Sequence, residues 1–319
     1  MRRAAPVARP GLARLLAFAA LHAGCFAAAS AFGQASDVPY VQTPTQVIDA
    51  MLDIAKVGPR DFVIDLGSGD GRIVITAARK FGARGFGVDL DGSLVAEARR
   101  EAARQGVADR VEFHARNLFI TDIDQATVLT SYLSTRVNLQ LRPRIFGELR
   151  PGSRVVSHEF DFGNWKPDAQ VRVSVPGKPY GPPSSDVFLW IVPANAAGRW
   201  QWRGTADGVA IEWEVALEQT FQMLRGSARA MGRPVRLERA TLRGDEISLR
   251  LAADIDGREI VQELAGRISG EAIRGTVRGA GATALEWHAR RVAAGKMNID
   301  GAADTAAVAS YSEGRSDAR

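Results

Sequence analysis

An apolar run that ends in an acid, Val63-Ile64-Asp65-Leu66, meets Gly67-Ser68-Gly69-Asp70-Gly71-Arg72 without a break, and this confines the region to a strand, a tight turn and a helix. The strand is expected over Asp61 to Leu66, the turn over Gly67 to Gly71 and the helix over Ile73 to Lys80. Glycines lack the Cβ that would keep a ligand away from the backbone, and a helix start offers unpaired N–H groups at the positive end of its dipole. An anionic group belongs in such a turn.

The spacing argues against a dinucleotide. A G-x-G-x-x-G fingerprint counted from Gly67 and Gly69 needs its third glycine, the one that packs helix on strand, where Arg72 stands. Asp65, at the strand's end, could instead hold an ammonium while the turn holds a carboxylate, so an amino-acid head group fits. A second strand, Gly85-Phe86-Gly87-Val88-Asp89-Leu90, ends in an acid 24 residues after Asp65, where a ribose partner should sit. A third, Val111-Glu112-Phe113-His114, leads to Asn117-Leu118.

Asp65-Leu66-Gly67-Ser68-Gly69-Asp70-Gly71 resembles motif I of class I S-adenosylmethionine (SAM) dependent methyltransferases, [DE]-x-G-x-G-x-G, at every fixed position. The resemblance implies that Gly67, Ser68 and Gly69 line the methionine end of SAM and that Asp65 faces its ammonium directly or through water. It implies further that Asp89, beside Leu90, binds the ribose hydroxyls. Asn117, where an acid is commoner, falls near the adenine amine and Leu118 against the ring. Asp91 competes with Asp89 for the ribose, and Asp70 either touches the ligand or caps the helix.

The segment ahead adds a narrower resemblance. Pro39-Tyr40-Val41-Gln42-Thr43-Pro44, then the glycine motif, then Arg154-Val155-Val156-Ser157-His158-Glu159-Phe160-Asp161 are similar to bacterial relatives of the ATP synthase c-subunit lysine methyltransferases, over roughly residues 38 to 193. On that likeness Tyr40 and Thr43 join the cofactor-binding set. Thr43-Pro44-Thr45-Gln46 has the pattern of a capping box with Pro at the first helical position, and Val47, Ile48, Met51, Leu52 and Ala55 recur at helical spacing.

From Pro39 to about Pro193 helices and strands alternate, which predicts an α/β, doubly wound, Rossmann-like sheet. The resemblance makes it seven-stranded, with one of its last two strands antiparallel. After Asn195 the composition changes to short alternating runs broken by Gly and Asp, among them Val209 to Leu217, Phe221 to Leu224 and Val235 to Leu242. Residues 196 to 292 are expected to form a small antiparallel β-barrel or half-barrel, with Gly266-x-x-x-Gly270 and Gly275-x-x-x-Gly279 marking turns or bulges. Its Trp residues suit packing better than a ligand stack. Residues 297 to 319, rich in Ala and Ser, have the composition of a disordered tail.

The first 35 residues stand apart. Arg2, Arg3, Arg9 and Arg14 carry all the charge of the first 33 residues, Leu15 to Ala31 is apolar or small, and small residues near Ala31 to Ala35 suit a cleavage site. That is the pattern of a secretory signal, with an uncleaved anchor or, in a eukaryote, a mitochondrial transit peptide as alternatives. It places the protein in the periplasm or beside a membrane. Cys25, the sole cysteine, lies in this leader, so a processed chain makes no disulfide and no thiolate metal site. Without the four leader arginines the formal charge falls from +5 to +1, and no basic stripe argues for nucleic acid.

SAM chemistry needs alignment and a desolvated slot rather than a metal, and His114, His158 and His288 are too scattered to form a ligand set. The methyl acceptor, a protein lysine or a small molecule, must present a lone pair near the ends of the fourth and fifth strands. Tyr132 is the catalytic candidate there, with His158, Glu159 and Asp161 as others. The Asn/Asp-Pro-Pro-Tyr string of many amine methyltransferases is absent, because the fourth strand ends Thr130-Ser131-Tyr132-Leu133. A silent SAM-fold scaffold of the cell envelope is the alternative to an enzyme.

Overall fold

The structure, a computed structural model, describes residues 41–179, 181–206, 209–255, 257–279 and 283–300. The leader, Tyr40 and most of the tail lie outside the described residues. Among the described residues no helix is long and apolar enough to cross a membrane.

Helix α1 (Thr45–Ile54) precedes β1 (Phe62–Leu66), α2 (Arg72–Phe81), β2 (Arg84–Asp89), α3 (Gly92–Arg104) and β3 (Val111–Ala115). Strand β4 (Val128–Ser131), α4 (Thr135–Glu148), β5 (Arg154–His158), β6 (Ala169–Ser174) and β7 (Ser184–Ile191) follow. The strands form one seven-stranded sheet in the order β3-β2-β1-β4-β5-β7-β6. Strands β1 to β5 are parallel, whereas β7 runs antiparallel to both β5 and β6. The expected single reversed strand is therefore β7.

Apolar stripes bury the helices on the sheet. Val47, Ile48, Met51 and Leu52 of α1 pack with Val63, Val128 and Val156 of the strands, and Val74, Ile75 and Ala78 of α2 pack with Val95 and Ala98 of α3 and Phe113 of β3. Gly71 makes the second contact possible. It caps α2 in the left-handed region at φ 76°, and a Cβ there would lie 2.6 Å from the Phe113 ring and 2.8 Å from Ala98. The glycine that brings helix onto strand thus sits one residue before Arg72. The expected capping box does not form: Pro44 holds the cap position without a side-chain bond, and the Thr43 hydroxyl is directed to His158 instead.

The second sheet is a closed antiparallel barrel of eight strands, β8 (Gly198–Ala206), β9 (Val209–Thr220), β10 (Met223–Ala230), β11 (Arg233–Arg243), β12 (Glu246–Ile255), β13 (Arg258–Ser269), β14 (Ala272–Gly279) and β15 (Leu285–Ala294). Two expectations change here. Gly266 and Gly275 are not turn residues but face each other inside β13 and β14, and Phe221 lies in the β9–β10 turn at φ 52° rather than in a strand.

That turn anchors the barrel. Phe221 is 3% exposed, stacks on Trp165 with centroids 6.2 Å apart and lies under the Arg142 guanidinium at 5.3 Å. Trp165 Nε1 donates to Gln222 Oε1 at 3.0 Å, and Ala194 N donates to Gly244 O at 2.8 Å. A Cβ on Gly244 would meet Gly152, just before β5, and Ile191, the last residue of the reversed β7. The barrel therefore packs at the N-terminal ends of the parallel strands, away from the edge where such sheets bind ligands. Asn298, in the expected tail, bridges to Thr220 and accepts from Phe221 N at 3.0 Å through its carbonyl.

Candidate active site

The C-terminal ends of β1, β2, β3, β4 and β5 bring most of the sequence-derived residues to one edge. Gly67 N and Ser68 N both donate to Val88 O at 2.9 Å, folding the glycine turn over β2. Gly67 has φ 78°, and a Cβ on it would stand 3.0 Å from Leu133 Cδ2, so the turn leaves no room for a side chain. Asp89 closes the arrangement: its Oδ2 accepts from Gly69 N and its Oδ1 from Asp91 N, each at 2.9 Å. The second acid is thereby fixed to the glycine turn as well as to its own strand. Asp91, its competitor in the sequence, caps α3, accepting from Ser93 N at 2.8 Å.

Asp65 is 1% exposed and accepts from Thr130 Oγ1 at 2.7 Å. Burial drives its carboxyl up to about 7; the Thr130 bond opposes this, while the nearby charges of Asp89 and Asp70 add to it. A buried acid raised in this way is poised to receive a cation. Asp70 is engaged otherwise: it pairs with Arg72, whose Nε donates to Asp70 Oδ1 at 2.9 Å. Arg72 Nη1 also reaches Thr43 O at 3.1 Å. Arg72, which the sequence marks only as a missing glycine, ties the segment before α1 to the turn.

Thr43 spans the site. Its Oγ1 lies 3.2 Å from His158 Nδ1 at the end of β5, and His158 Nε2 lies 3.0 Å from Ser185 Oγ. His158 is 1% exposed, and burial pushes its imidazole down to about 4, more than the opposing Glu159 charge lifts it. The ring is neutral at ordinary pH. Tyr132 packs on it at 3.9 Å between centroids and stacks on Phe160 at 6.1 Å. Burial first, and then the Glu159 charge, raise the Tyr132 phenol, so it stays protonated. Glu159, in the left-handed region at φ 66°, pairs with Lys178. Burial works to raise its carboxyl, but hydrogen bonds from Lys178 and Ser185 hold it below the usual range. Asp161 accepts from Gly163 N at 3.1 Å and so shapes its own loop.

At the other flank, Asn117 Oδ1 accepts from Phe119 N at 2.8 Å, which shapes the single turn Leu118–Ile120. Leu90, just past the end of β2, is 48% exposed, a large apolar side chain free to cover a ring. Thr130, Ser131, Phe160 and Lys178 join the site without having stood out in the sequence. Thr130 alone carries a signal, since β4 lies beside β1 in such sheets and its penultimate residue must face the end of that strand.

The site fits the SAM cosubstrate. Ser68 Oγ and Ser131 Oγ are buried without a hydrogen-bond partner among the described residues, the Gly67 turn is closed to side chains, and Asp65 is a buried acid with a raised pKa. Polar orphans of this kind call for a ligand that is itself polar. Among the described residues no cluster of His, Cys, Asp and Glu could hold a metal ion.

Comparison with known proteins agrees. Residues 65–169 match the ANTKMT methyltransferase domain. A protein-lysine N-methyltransferase of Saccharolobus islandicus is 42% identical over 156 residues, which are 49% of this chain and 94% of that protein. The human lysine N-methyltransferase of the ATP synthase c-subunit is 33% identical over 131 residues, 41% of this chain, and the chain spans only 55% of its length. A crystal structure described as an RNA methyltransferase from Salinibacter ruber with S-adenosyl-L-homocysteine is 50% identical, covers 47% of this chain and 93% of its own, and has a TM-score of 0.44. The glycine turn, its two acids and the match along nearly the whole archaeal enzyme lead to one conclusion: this chain belongs to the family of SAM-dependent methyltransferases that includes that protein-lysine N-methyltransferase.

Proposed function

We propose that the protein methylates the ε-amine of lysine in a protein acceptor. The observation that carries this reading is the 42% identity to the archaeal protein-lysine N-methyltransferase over 94% of its length. In this reading Asp65 holds the ammonium of SAM, the Gly67–Gly69 turn its carboxylate, Asp89 its ribose hydroxyls, and Asn117 with Leu90 and Leu118 its adenine. The cofactor supplies a methyl group already activated on a sulfonium.

The chain's own task is to deliver an uncharged amine in line with that group. Tyr132 and Phe160, one half-buried and one 39% exposed, form aromatic walls at the ends of β4 and β5. An ammonium that comes against this pair of rings loses water, which lowers its pKa, and its proton leaves to solvent. Tyr132 serves as a wall and not as a base, because its phenol stays protonated. The arginine-bearing, apolar leader supports export or anchoring, and so an acceptor near a membrane.

Incubation of the purified protein with SAM and a proteome extract, followed by peptide mass spectrometry, tests the proposal. New ε-methyl-lysine is expected. Methylation confined to RNA or small molecules in the same extract would overturn it.

A further inference from the structure

The barrel lies away from the strand ends that carry the chemistry, yet its interior contains polar atoms with nothing to bond. Trp213 Nε1, Trp287 Nε1 and Gln262 Oε1 are buried without a hydrogen-bond partner among the described residues. Their residues are 0%, 2% and 5% exposed and stand on three different strands, β9, β15 and β13. Burial alternates along those strands, so all three point into the lumen. The fold does satisfy other buried indoles: Trp200 Nε1 donates to Ala196 O at 2.8 Å, and Trp190 Nε1 to Trp165 O at 2.7 Å. Buried donors left unpaired are rare, and two indole N–H groups left so in one lumen point to a missing acceptor.

There is space beside one of them. A Cβ built on Gly204 of β8 would meet no heavy atom nearer than Trp213 Nε1 itself, at 3.9 Å. Trp202 lies parallel to Trp213 at 6.1 Å and edge-on to Trp287 at 5.6 Å, so flat aromatic faces border this space. Toward the barrel end far from the sheet, described inward-facing side chains are apolar. Leu285, in phase with Trp287, is 55% exposed, and its neighbours across β14 and β13 run from the half-buried Val277 to the buried Leu264. Arg291, turned inward at the near end, donates to Ala197 O and Asn195 O, stacks on Trp200, and has its charge met by Glu271, whose Oε2 lies 3.3 Å from an Nε that makes no hydrogen bond. It is not available to neutralise an acid.

We propose that the barrel binds one small, uncharged, apolar molecule bearing a carbonyl oxygen, such as an ester or ketone, that accepts from the Trp213 and Trp287 indole N–H groups. Indole donors without a cation favour a neutral carbonyl over a carboxylate, and the apolar rim admits a hydrocarbon chain.

The test is a tryptophan-fluorescence titration of the full chain with methyl octanoate, octanoate and octane at pH 8. Methyl octanoate is expected to give a saturable change, with octanoate and octane at least tenfold weaker. Trp213→Phe should weaken the ester about tenfold and Gly204→Leu should abolish its binding, while SAM affinity, read as a check on folding, stays unchanged. Absence of a saturable signal, equal binding of all three probes, or full ester affinity in Trp213→Phe would each overturn the proposal. The last comparison stands even if Gly204→Leu fails to fold.

Discussion

Thr130 Oγ1 donates to Asp65 Oδ1 at 2.7 Å, deep at the junction of β4 and β1. The bond is too little to offset burial, so the carboxyl is raised to about 7. In the free protein Asp65 takes up a proton as pH falls through 7, whereas a cationic partner favours its charged form. SAM affinity should therefore rise roughly tenfold from pH 5.5 to pH 7, with proton release on binding. Asp65→Asn should lose this pH dependence. The sign for stability is opposite. A folded-state pKa above the unfolded value costs stability above pH 7 and relieves that cost as pH falls toward 4, so Asp65→Asn should gain more in Tm at pH 8 than at pH 5.

Tyr132 contributes a ring rather than a base. Tyr132→Phe should keep methyl transfer within about threefold, while Tyr132→Ala should lose on the order of a hundredfold by opening one wall of the slot. Steady-state kinetics of both variants check this, and a large loss in Tyr132→Phe would assign the chemistry to the hydroxyl.

His158 behaves inversely to Asp65. Its folded pKa of about 4 lies below the unfolded value of 6.5, so its stability contribution is complete above pH 6.5 and is lost as pH falls toward 4. The shift corresponds to about 3 kcal/mol at most. Urea unfolding should show His158→Gln less stable than the parent at pH 7, with the gap shrinking by pH 4.

Gly71→Ala places a methyl where Phe113 and Ala98 already stand, at a φ of 76° that disfavours any side chain. Overpacking and strain together should cost about 2–4 kcal/mol. Thermal unfolding in the absence of ligand checks the loss.

The strand, turn and helix around Gly67 are legible in the sequence because apolar periodicity and glycine spacing are local signals. Asp89 can be placed by its distance from Asp65 for the same reason. Local signals do not reveal where polar side chains find partners across the sheet. Thr43 matches a capping pattern, but tertiary contact with His158 outcompetes the local bond. Arg72 carries no signal for its grip on Thr43 O, which joins residues 29 apart in the chain. Gly266 and Gly275 read as turn residues because single glycines look alike in sequence, whether they bend a strand or let two backbones approach.

The most direct test of the cofactor site is calorimetric titration of SAM into the protein and its Asp89→Ala variant at pH 7. Asp89 fixes the glycine turn through Gly69 N, and in the proposed reading it holds the ribose. The account predicts measurable SAM binding by the parent and a loss of about 1–3 kcal/mol in the variant. Equal affinity in the two proteins, with both folded, would contradict it.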